Sequence, residues 1–61
     1  MYTYERYNDK GLVYSIICSD NDGLDELLKK APKNAHKFEN QKGEQVIAWT
    51  NVLYRHRITV M

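Results

Sequence analysis

The chain has 61 residues, 43% of them apolar, with nine Lys and Arg against eight Asp and Glu, and a single cysteine. That length holds one domain, 1–61, and buries only about 60% of the surface the unfolded chain exposes. The composition is that of a folding chain, the near balance of charge argues against both a strongly basic DNA binder and an acidic DNA mimic, and the lone Cys18 excludes an internal disulfide.

A scaffold this small gains stability from a metal, from very good packing or from oligomerisation. The single free thiol points to a reducing compartment. "MYTYERYNDK" lacks a basic segment followed by an apolar core, and no apolar run approaches the length of a membrane span. A cytoplasmic protein is the expectation.

The first element is a hairpin over 1–19. "YNDKGL" offers Asn, then two polar residues, then Gly, as a type I turn closed by a left-handed residue requires. Such a turn fixes the register. It predicts Tyr7 opposite Val13, Arg6 opposite Tyr14, Tyr4 opposite Ile16 and Tyr2 opposite Cys18.

"SDNDGLDELLKKAPK" predicts a helix over 23–31. Asp22 is the expected N-cap, and Asp25 and Glu26 suit the positive end of the helix dipole. Leu24, Leu27, Leu28 and Ala31 recur at i, i+3, i+4 and i+7, an apolar stripe, and Pro32 ends the helix. Asp25–Lys29 and Glu26–Lys30 are i,i+4 pairs in the favourable order.

A second hairpin over 35–50 repeats the turn chemistry in "ENQKGE". It places Phe38 opposite Val46, His36 opposite Ala48 and Lys37 opposite Ile47. The terminal stretch 52–61, "VLYRHRITVM", alternates and is predicted to be a fifth strand. Val52, Tyr54, His56, Ile58 and Val60 take one side; Leu53, Arg55, Arg57, Thr59 and Met61 take the other. The order is ββαβββ: α+β, a single antiparallel sheet of four to five strands with one short helix packed on one face.

The helix covers one sheet face, expected to hold Tyr2, Tyr4, Leu12, Tyr14, Ile16 and Cys18 with Phe38, Val46 and Ala48. The other face is expected to carry Tyr7, Val13, Ile17, Ile47 and Trp49 among polar residues. A solvated face should be cleanly polar, so these apolar side chains mark an interaction surface. The terminal strand, read as an uncapped edge, adds Tyr54, Arg55 and Arg57.

Motifs for chemistry are absent. "DNDG" at 20–23 begins like a calcium loop, but Cys18 and Lys29 stand where oxygen ligands belong, and helix capping explains the acids. Cys18, His36 and His56 lack the short paired spacings of a zinc site. The three glycines stand apart, which excludes a phosphate loop. The expectation is a non-catalytic protein-binding module with no cofactor and no metal. It self-associates as a homodimer or higher oligomer, or docks on a larger protein target. In size and style alone, with no motif behind the likeness, it resembles accessory or inhibitor proteins of phages and mobile elements. The alternative is a nucleic-acid-binding module using Arg55, Arg57 and the Lys29–Lys37 basic run, since basic residues interleaved with aromatics on a sheet suit single strands.

Overall fold

A computed structural model describes residues 1–21 and 23–61. Its elements are β1 (Tyr2–Asn8), β2 (Gly11–Cys18), α1 (Leu24–Lys30), β3 (His36–Glu39), β4 (Gln45–Thr50) and β5 (Arg55–Val60). The five strands form one antiparallel sheet in the order β2-β1-β5-β4-β3. The protein is α+β, ββαβββ, with its one short helix against the sheet.

Both hairpin turns form as their residues require. Gly11 and Gly43 have positive φ, and Asn8 and Asn40 each accept, on Oδ1, the backbone N–H two residues on (2.8 and 2.9 Å). The second hairpin has the expected register, Phe38 against Val46 and His36 against Ala48. In the first, Tyr2, Tyr4 and Arg6 meet Cys18, Ile16 and Tyr14, but Tyr7 pairs with Leu12. Val13 is the extra residue of a bulge, which turns Leu12 toward the face of Tyr7.

Helix α1 begins after Gly23, a left-handed N-cap (φ 83°) with no side-chain cap; the expected cap, Asp22, lies outside the described residues. It ends at Ala31, extended as a residue before proline should be. Leu24 is buried, Leu27 and Ala31 pack against the core, and Leu28 stays exposed at the margin of the stripe.

Three expectations are corrected. The terminal strand is not an edge: β5 inserts between β1 and β4 and pairs with both, Ile58 lying between Tyr4 and Ile47. It is also shorter than expected, because Asn51 to Tyr54 form a turn. The division of the sheet's faces changes with it. Pairing through Ile58 puts Ile47, Trp49, His56 and Val60 on the helix side with Tyr2 and Tyr4. Val46, Ala48, Phe38 and His36 therefore face away, with Thr3, Glu5, Tyr7, Arg55 and Arg57. The core is Tyr2, Leu24, Ile47 and Ile58, the last wholly buried at 0% exposure.

Candidate binding surfaces

The sheet's two edges differ in kind. Strand β3 has four residues, two of them charged, Lys37 and Glu39. Short length and charge are how proteins keep an edge from pairing with another chain. Strand β2 has eight residues, "GLVYSIIC", without a charge or a proline. Leu12, Val13, Tyr14, Ile16 and Ile17 are all exposed, Ile17 at 68%. The core cluster draws on β1, α1, β4 and β5, leaving most of β2 beyond the shelter of the helix.

The eight residues expected to bind a partner are distributed over the molecule. Val13 and Ile17 lie on the β2 edge. Ile47 is in the core, and Trp49 packs beside it. Tyr7, Arg55 and Arg57 share the open face, where Tyr7 donates to Glu5 (2.7 Å) and Arg57 reaches both Tyr7 (2.9 Å) and Glu5 (3.2 Å). The bond to Glu5 pushes the Tyr7 hydroxyl above its usual pKa. Arg57 thus spends its charge inside the network, while Arg55 rests beside the Tyr7 ring at 5.9 Å. Tyr54 lies on the helix side against His56 and Arg6. The basic run is separated from the arginines: Lys37 shares the face of Ile47, and Lys30 sits on the helix. Cys18, His36 and His56 are not gathered into a group among the described residues.

An aromatic cluster built around His56 escaped the sequence reading. Alternation puts Tyr4, Arg6, Tyr14, Trp49 and His56 on the helix side, beyond the end of the helix that covers Tyr2 and Ile58. Trp49 stacks on the His56 imidazole (centroids 4.8 Å apart, 11° between planes), and Tyr4 stacks on it at 6.0 Å. The Arg6 guanidinium sits over Tyr54 at 4.8 Å and Tyr14 at 5.4 Å. Tyr4 Oη is 2.7 Å from His56 Nδ1, and Asn51 Nδ2 is 2.9 Å from Nε2. Burial, helped by the Arg6 cation, holds the imidazole pKa below its ordinary value. Burial also raises the Tyr4 hydroxyl.

A further apolar feature is the tip of the 51–54 turn. Asn51 Oδ1 accepts the N–H groups of Leu53 (3.0 Å) and Tyr54 (2.8 Å), and Asn51 N donates to the Tyr54 carbonyl (2.9 Å). Held this way, Val52 is 99% and Leu53 71% exposed. No helix among the described residues is long and apolar enough to cross a membrane. No family model, curated protein or solved structure matches the chain.

Proposed function

We propose that this protein is a non-catalytic binding module that acts by self-association, two copies joining their sheets edge to edge through β2. The carrying observation is the contrast between the edges: β3 is short and charged, whereas β2 is long, uncharged and exposed from Leu12 to Ile17. In an antiparallel pair of identical strands every charged residue risks meeting its like, and β2 has none. Among the described residues only five apolar side chains are buried, Tyr2, Leu24, Val46, Ile47 and Ile58, so a small core stands to gain from added contacts. An accessory or inhibitory role on a larger protein would draw on the same edge by strand addition.

The test is Ile17→Lys. Because Ile17 is already exposed, the fold should keep its circular dichroism and melting temperature, while association weakens by more than about tenfold, roughly 1.4 kcal/mol. An unchanged association constant would remove β2 from the interface.

A further inference from the structure

Between α1 and the aromatic end of the sheet runs a groove of about 610 Å³. Its sheet wall is built of rings, Tyr4, Tyr14, Trp49 and His56, and its helix wall carries Glu26 and Lys30. Arg6 lies in it with no carboxylate at ion-pair distance among the described residues. The guanidinium is steadied by two tyrosine faces, yet its buried Nε has no hydrogen-bond partner. A buried donor left unmatched is costly, and a guanidinium matches the oxygens of a phosphate or carboxylate.

We propose that this groove binds an aromatic ring carrying an anionic oxygen group, the chemistry of a nucleotide, free or within a single strand. The flat ring lies against the tyrosine and tryptophan rings, since stacking tolerates any base. The anionic oxygens pair with the Arg6 guanidinium, in charge-assisted bonds. Lys30 adds a second cation at the helix wall, and Glu26 is the one acid there among the described residues. A neutral His56, bonded at both nitrogens, serves as a fixed ring in the wall. Trp49 and His56 also line the hollow on the Arg55–Arg57 face, but Arg6, Lys30, Tyr4 and Tyr14 line this groove and not that one, and of the basic run the groove uses Lys30 alone.

Trp49, the only tryptophan, lines the groove and reports on it. Titration of the whole chain with a nucleoside monophosphate should change Trp49 fluorescence saturably. The nucleoside alone and inorganic phosphate alone should each bind at least about tenfold more weakly. Arg6→Gln should weaken the monophosphate by about tenfold or more, and Lys30→Gln, exposed on the helix and safe for the fold, by a smaller factor. A short oligothymidylate binding more tightly than the monophosphate identifies a strand as the ligand; equal affinity identifies a free nucleotide. Absence of a saturable signal up to about 10 mM ligand overturns the site. So does binding that survives both substitutions unchanged, or amide shifts confined to the Arg55 face.

Discussion

The side-chain amide of Asn51 points its nitrogen at His56 Nε2 across 2.9 Å. That orientation is fixed from the other end, because Asn51 Oδ1 already accepts the N–H groups of Leu53 and Tyr54. An amide nitrogen is a donor only, so Nε2 must be an acceptor and carry no proton. His56 is therefore neutral, protonated at Nδ1, and donates to Tyr4 Oη at 2.7 Å. The proton inventory of one imidazole follows from the backbone of one turn.

The pH dependence of stability follows with a definite sign. Burial first, and the Arg6 cation second, hold the His56 pKa below 6.5, so as pH falls the unfolded chain takes up the proton before the folded one does. The stabilisation is complete above 6.5 and is lost as pH falls from there through the folded value. Melting temperatures taken between pH 8 and 5 should be level at first and then decline. His56→Gln should flatten the decline, and an unchanged curve would show that His56 is not its source.

Asn51→Asp inverts the partner while keeping the turn. Its Oδ1 still accepts from Leu53 and Tyr54, but its second oxygen now faces Nε2 and favours a proton there. The His56 pKa, followed by its ring-proton shifts, should rise above the wild-type value. Asn51→Ala should instead cost about 1–2 kcal/mol by leaving the turn's donors without their acceptor, read by urea denaturation.

Ile58 is the centre of the fold, between Tyr4 and Ile47 and wholly buried. Ile58→Ala should cost about 2–5 kcal/mol. For a domain this small that is a large part of the whole stability, so denaturation should begin with no stable baseline.

Gly43 closes the second hairpin at φ 82°, where a side chain is strained and a Cβ would stand 3.4 Å from the Glu39 carboxylate. Gly43→Ala should cost about 1 kcal/mol, seen as a lower urea midpoint with an unchanged slope.

Much of the fold was legible locally. The Asn-x-Lys-Gly turns set the register of the second hairpin, and of the first from Tyr2 to Arg6 though not at Tyr7, where the bulge at Val13 intervenes. The leucine spacing and Pro32 located the helix. The phase between the hairpins was not legible, because it depends on β5 entering between β1 and β4, a pairing of residues far apart in the chain. One wrong phase moved Ile47 and Trp49 from the core side to the open side. The 51–54 turn did carry a signal: Asn51 bonds the N–H two residues on, as Asn8 and Asn40 do. Asn51 reads as a point where the chain can turn, but without a glycine after it nothing marks where the turn ends, and Val52 to Tyr54 read as part of the strand. The groove depended on the same missing phase, since Arg6 and Trp49 meet only through His56.

The most direct measurement is sedimentation equilibrium of the wild-type chain from micromolar to millimolar concentration, with amide exchange followed on the same samples. The expected result is a mass rising from 7.2 kDa to twice that, with the outward-facing amides of β2 becoming protected as it rises while those of β3 do not change. A mass that stays at 7.2 kDa, with β2 amides exchanging freely at every concentration, would contradict self-association through that edge.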